Sequence, residues 1–129
     1  MAPHFLKATS KNTISANEKL RFGVIGCNGM GWSDTRSLLK MDDVELIAIA
    51  DVDQNVVKKR VAEYGEIRSN KLTIYGDYRK LLENKDIDFV VIGTPDHWHC
   101  KMMVDAVQAG KDVYVEKPIA NSIEECNLM

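Results

Sequence analysis

Apolar positions follow no period through the first 18 residues, MAPHFLKATSKNTISANE, and then fall into short runs that alternate with amphipathic stretches to the end of the chain. LRFGVIG (20–26) reads as a first strand, and SDTRSLLKM (33–41) as a short helix that turns Leu38, Leu39 and Met41 toward a sheet. VELIAIAD (44–51) is almost continuously apolar, as a strand buried on both faces of a parallel sheet must be. In QNVVKKRVAEY (54–64), Val57, Val61 and Tyr64 recur at helical spacing; Asp53 caps this helix and Gly65 falls just past its end. LTIY (72–75) is a weaker strand, Asp77 caps a helix in YRKLLEN (78–84), and DFVVIG (88–93) is the fourth strand. HWHCKMMVDAVQA (97–109) places Cys100, Met103, Val104 and Val107 on one helical face and stops at Gly110. DVYVE (112–116) is the fifth strand, and SIEE (122–125) has the Ser-x-x-Glu form of a capping box.

Strands alternating with helices call for right-handed crossovers, so the pattern predicts an α/β fold with a doubly wound parallel sheet between two helical layers. The expected organisation is a flexible arm over 1–18 and one nucleotide-binding domain over 19–129. The last capped helix runs out after about one turn, which predicts a domain cut at its C-terminus. The arm contains no complete export signal; APHFLKA could be the remnant of a trimmed one. The compartment therefore stays open: cytoplasmic by default, exported if the arm is such a remnant.

Composition narrows the classes. With 129 residues the chain suits one domain with a real core, and 45% apolar against 28% charged residues is ordinary for a globular protein. A net charge of -2 argues against a nucleic-acid partner, and no apolar run is long enough to predict a membrane span. Cys27, Cys100 and Cys126 have no paired spacing and read as free thiols.

Candidate chemistry begins in GVIGCNGMG (23–31). A G-x-G-x-x-G count from Gly26 reaches Gly31, but Asn28 occupies the middle place and Gly29 stands one residue late. In a βαβ nucleotide site this turn opens a helix whose free N–H groups meet a pyrophosphate. The expectation is that Gly29 and Met30 offer those groups while Asn28 takes a left-handed turn conformation. Asp51, about 20 residues further on at the end of the second strand, can accept hydrogen bonds from the adenosine ribose. Its neighbours Val52, Asp53 and Gln54 supply no arginine for a 2′-phosphate, so NAD is favoured over NADP. A methyltransferase would carry an acid at the end of the first strand, and a nucleotide triphosphatase needs G-x-x-x-x-G-K-S/T; neither is present.

Two more segments fall at carboxyl ends of strands: GTPDHWHC (93–100) and EKP (116–118). His97 and His99 with Asp96 and Cys100 invite a metal reading, but the start of a helix spreads them around its axis and no second ligand cluster exists, so no metal is expected.

Together with ADVD and DYRKLLENKDIDFVVIGTP, these motifs resemble the Gfo/Idh/MocA oxidoreductases, from about Leu20 to the last residue. The most specific mark is T-P-x-x-x-H followed, seventeen residues after that His, by E-K-P. The PDHWH form is similar to sugar-acting members, exported bacterial ones and relatives of NAD-dependent α-N-acetylgalactosaminidases among them. The resemblance implies a Rossmann domain and a separate C-terminal α+β domain, absent here, that holds most substrate contacts and the homo-oligomer interface. It implies that Lys117 is catalytic, beside the nicotinamide, and helps move a hydroxyl proton. It places Glu116 near the nicotinamide ribose, and Thr94, Pro95, His97 and His99 along the cofactor cleft. Trp98 either touches NAD or packs on the missing domain. The implied substrate is a sugar or polyol; the alternatives are a redox-elimination glycosidase with NAD bound throughout and a non-catalytic nucleotide sensor. The isolated domain is expected to bind NAD weakly and not to turn over.

Overall fold

A computed structural model describes residues 18–129; the expected arm lies outside them except for its last residue. Five strands, β1 (Leu20–Ile25), β2 (Val44–Ala50), β3 (Thr73–Tyr75), β4 (Phe89–Ile92) and β5 (Asp112–Val115), form one sheet in the order β3-β2-β1-β4-β5. Every pairing is parallel. The chain steps outward from β1 to β3, then returns to the other side of β1 for β4, so the topological switch falls between β1 and β4.

Helices α1 (Gly29–Leu38) and α2 (Gln54–Ile67) cover one face, and α3 (Tyr78–Leu82) and α4 (His99–Gln108) the other. Strand alternation divides the core accordingly. Phe22, Val24 and Val91 pack with Trp32, Val57 and Tyr64, whereas Ile25, Val90 and Ile92 pack with Leu81, Met102 and Ala106. A register shift opposite Phe22 and Gly23 puts Leu46 and Ile49, three apart, on the same face.

The caps agree with the sequence. Asp53 accepts from the N–H groups of Asn55 (2.9 Å) and Val56 (3.4 Å), and Asp77 from Arg79 N–H (2.9 Å). Ser122 accepts from Glu125 N–H (3.2 Å), opening α5 (Ile123–Leu128), although the returning Glu125 carboxylate meets Asn121 N–H instead of the Ser122 amide.

Three expectations need correction. First, α1 starts at Gly29, four residues before Ser33, and Met41 is exposed rather than facing the sheet. The glycines form the first turn, because only a bare backbone can lie that close to β4. Second, α2 runs through Gly65 to Ile67. The helix stops at Arg68, which turns extended and gives its guanidinium to Leu39 O (2.8 Å) at the end of α1. Third, the segment 97–109 splits into a 3₁₀ turn at Asp96–Trp98 and α4. Its inward stripe is His99, Met102, Met103 and Ala106, beside Cys100, while Val107 faces out. His99 fixes that rotation, because both of its ring nitrogens lie within hydrogen-bond distance of backbone carbonyls inside the fold.

Candidate functional site

The carboxyl edge of the sheet carries a pocket of about 600 Å³, a volume suited to a small molecule. Gly26 and Asn28 reach it from the loop after β1, and Asp51 and Val52 from the end of β2. Gly76 to Arg79 reach it from the end of β3, and Gly93, Thr94, Pro95 and Trp98 from the end of β4. The pocket therefore straddles the switch point, where open α/β sheets bind ligands.

Its central wall is the glycine loop. Gly26 has φ 80° and Gly29 φ 48°, whereas Asn28 is extended at φ -103°, ψ 168°. The left-handed residue is thus Gly29, not Asn28: the backbone puts its unusual conformation on the residue that bears no side chain. A side-chain carbon at Gly29 would touch nothing, so the space over the start of α1 is open. Gly31 does different work. A side-chain carbon there would run into the Gly26 carbonyl and the Gly93 backbone, so Gly31 and Gly93 let α1 lie directly against the end of β4.

The first four N–H groups of α1 have no partner within the helix. Asn28, at the N-cap, does not cap them. Its Oδ1 accepts instead from Arg60 Nη2 (3.1 Å), and Arg60 Nε donates to Cys27 O (2.8 Å). Arg60 is buried and lies over the Trp32 ring at 5.3 Å. It therefore braces the back of the loop and leaves the helix start free for an anion. Sequence reading missed Arg60; the available signal was a basic residue inside the buried stripe of α2, three after Val57.

Asp51 is tied into the same loop. Its Oδ2 accepts from Cys27 N–H (2.9 Å) and Oδ1 from Asp53 N–H (3.0 Å). Oδ2 also accepts from the Cys27 thiol (3.5 Å), so it is Oδ1 that keeps a lone pair for a ligand hydroxyl. Burial, followed by the charge and hydrogen bond of Asp51, pushes the Cys27 thiol up to about 12, so this cysteine stays protonated and inert.

The far side of the site is built differently. His99 is 1% exposed, with Nε2 2.8 Å from Thr94 O and Nδ1 2.7 Å from Pro118 O. It does not line the cleft through its ring; it ties the loop after β4 to the loop that carries Lys117. His97 points outward, 58% exposed and beside Asp96. Glu116 is buried against Asp34 of α1 instead of lining the pocket. Burial, with the hydrogen bond and charge of Glu116, raises the Asp34 carboxyl above its ordinary value. Lys117 is exposed, joined to Pro118 by a cis peptide, and its ammonium has no hydrogen-bond or ion-pair partner among the described residues. Gly26, Asn28, Asp51, Thr94 and Pro95 are thus gathered around the pocket. Gly29, Met30 and Gly31 form the helix start beside it, and His97, His99, Glu116 and Lys117 lie outside its lining. No group of three or more potential metal-ligating residues occurs among the described residues.

The comparisons agree with this geometry. Residues 20–129 match the family described as "Oxidoreductase family, NAD-binding Rossmann fold". A glycosyl hydrolase family 109 protein from Shewanella sp. (strain W3-18-1) is 39% identical over 111 residues, 83% of this chain and 24% of that protein. An alpha-N-acetylgalactosaminidase from Shewanella oneidensis is 38% identical over 113 residues, 84% of this chain and 25% of that protein. The chain spans about a quarter of the length of these relatives. Among solved structures, scyllo-inositol dehydrogenase from Lactobacillus casei, with bound NAD(H) and scyllo-inositol, has a TM-score of 0.75 at 25% identity, covering 84% of this chain and 31% of that one. The WlbA dehydrogenase from Bordetella pertussis, in complex with NADH and UDP-GlcNAcA, has a TM-score of 0.76 at 26% identity, covering 86% of this chain and 32% of that one. The chain belongs to the Gfo/Idh/MocA oxidoreductase family and is its NAD-binding Rossmann domain.

Proposed function

We propose that the protein containing this domain moves hydride between a hydroxyl-bearing carbon of a sugar or polyol and NAD, with Lys117 as the proton-handling group. The observation that carries this reading is the tie through His99. Thr94 lines the pocket, its carbonyl meets one His99 nitrogen, and the Pro118 carbonyl meets the other. This tie supports a position for Lys117, next in chain to Pro118, near the β4 end of the pocket, where no described residue pairs with its side-chain nitrogen.

The residues fit the cofactor. The uncapped start of α1 suits a pyrophosphate, Asp51 suits the adenosine ribose, and the open space over Gly29 admits the phosphates. NAD, when bound, supplies the hydride acceptor. Everything else falls to the protein. Beside a substrate hydroxyl, the lysine in its amine form would take the hydroxyl proton and, as the ammonium it becomes, stabilise the charge on that oxygen; in the reverse reduction the ammonium would give the proton back. Contacts that select the substrate, and those that assemble the oligomer, belong in this reading to protein outside this chain.

A second reading is favoured by the names of the Shewanella relatives. The same oxidation can precede elimination of the aglycone, addition of water to the unsaturated sugar and a final reduction, with NAD returned to its starting state. One experiment separates the two: full-length protein is given NAD with free sugars, polyols or N-acetylgalactosaminides. Net NADH marks the dehydrogenase, and aglycone release without net NADH marks the glycosidase. In either case Lys117→Ala should cut turnover by about 10²- to 10⁴-fold while NAD affinity holds. Retained turnover in that variant would remove Lys117 from the chemistry.

A further inference from the structure

The residues next to Asp51 in sequence offer no arginine, but the fold brings one from elsewhere. Asp51 N–H donates to Tyr75 O (3.3 Å), so the loop after β3 starts beside Asp51. Two residues later that loop reaches Asp77, and then Arg79, the one cation lining the pocket among the described residues. Arg79 is already engaged. Its Nε lies 2.9 and 3.1 Å from the two Asp77 oxygens, and its Nη2 lies 2.6 Å from Oδ2. Hydrogen bonds from the Arg79 side chain and backbone hold the Asp77 carboxyl down at about 2, so the pair is ionised at any ordinary pH.

This arrangement matters for the adenosine end of a dinucleotide. A ribose 2′-hydroxyl can donate to Asp51. A 2′-phosphate in the same place meets two carboxylates, Asp51 and Asp77, and a guanidinium whose fork is turned to Asp77. Arginine binds phosphate through that fork, so it must first leave its partner.

We infer that Asp77 is a specificity-determining residue: by holding Arg79, it keeps the pocket selective for NAD over NADP. The inference rests on the NAD reading of the site and adds a determinant outside the Asp51 segment. Charge supports it, since the three ionised groups around the adenosine end sum to a negative site only while Asp77 is present.

The test uses Asp77→Asn, because asparagine caps a helix about as well as aspartate and α3 is preserved. NAD and NADP are titrated calorimetrically into the protein, the variant and the Asp77→Asn/Arg79→Gln double variant. The expected result is that the ratio of NADP to NAD affinity rises about five- to tenfold for Asp77→Asn. The gain should vanish in the double variant and shrink with added salt. An unchanged NAD-to-NADP ratio in Asp77→Asn would overturn the inference, as would a gain that survives loss of Arg79. If the unaltered protein bound neither dinucleotide, the NAD reading itself would fall, which is a separate outcome.

Discussion

The two ends of the carboxyl edge are finished to different degrees. On the β3-β2-β1 side, Asp51, Asp53, Asp77 and Arg60 are all bonded to backbone or to one another, and the glycine loop is braced from behind. On the β4-β5 side, His99 and the Asp34–Glu116 contact hold the E-K-P loop from beneath, but its outer surface is bare. Lys117 stands without a partner among the described residues, and Trp98, Tyr114, Ile119 and Ile123 expose large apolar surfaces nearby in sequence. The first half has what a dinucleotide's phosphates and adenosine need. The second half has an exposed lysine without a partner among the described residues. NAD binding is thus carried by the β3-β2-β1 side of this domain.

The sharpest way to break the finished half is to separate its two kinds of glycine. Gly31→Ala puts a methyl group between two backbones that cannot retreat, the Gly26 carbonyl and Gly93. A loss of about 3 kcal/mol in folding stability is expected, measured by denaturant unfolding, with NAD binding abolished. Gly29→Ala meets no atom but must hold φ 48°, which costs about 1 kcal/mol. Its methyl group would occupy the space over the helix start, so NAD affinity should fall by more than stability does. An NAD affinity in Gly29→Ala that falls no further than its stability would mean that the open space over Gly29 is not used by the ligand.

Asp51→Asn tests whether the brace and the ligand contact share one carboxylate. Asparagine keeps the shape but loses one acceptor and the charge. Folding stability should drop by about 1 kcal/mol, because either Cys27 or Asp53 N–H loses its partner. NAD affinity should fall about tenfold. The same change removes a charge and a hydrogen bond that help hold the Cys27 thiol at about 12, so its pKa should come down toward the value that burial alone imposes. Thiolate absorbance against pH, compared between Asp51→Asn and the unaltered protein in a Cys100→Ser/Cys126→Ser background, reads this for the buried Cys27, and an unmoved profile would show that Asp51 does not act on the thiol.

Much of the architecture was legible because burial writes a period into sequence. VELIAIAD and DFVVIG had to be central strands, and Asp53 and Asp77 had to be caps, since local patterns decide both. The long-range partners were not legible in the same way. Arg60, Arg79 and Asp34 join the site through contacts 33 to 82 residues away in sequence or through a loop fold that no local rule describes: Arg60 reaches Cys27, and Asp34 reaches Glu116. His99 shows the intermediate case. Its motif marked it as a site residue, but only the fold shows that its ring faces two carbonyls rather than the cleft. The position of Asn28 was misjudged for a local reason, because a glycine one place later took the left-handed turn that asparagine could have taken.

The smallest expected effect belongs to the unfinished half, and its sign separates that half from the other. Asp34 is raised above its ordinary 3.8 by burial and by Glu116. In the unfolded chain it ionises near its ordinary value, while in the folded protein it resists. Below about pH 4 it is protonated in both states and contributes no penalty. As pH rises through the raised folded value, the unfolded state gains the advantage, so this carboxyl lowers stability at neutral and alkaline pH. Asp77 on the other side has the opposite sign: its carboxyl is held at about 2, so its stabilisation is complete above its ordinary 3.8 and is lost as pH falls toward 2. Asp34→Asn should therefore stabilise the protein at pH 8 by under about 1 kcal/mol, since Asp34 is only partly buried and solvent screens the pair. Its amide can donate to Glu116, as the protonated acid does. The gain should fade toward pH 4. Thermal unfolding of both proteins across that range checks it, and a gain that does not change with pH would show that packing, not the two facing carboxyls, distinguishes the β5 side of the site.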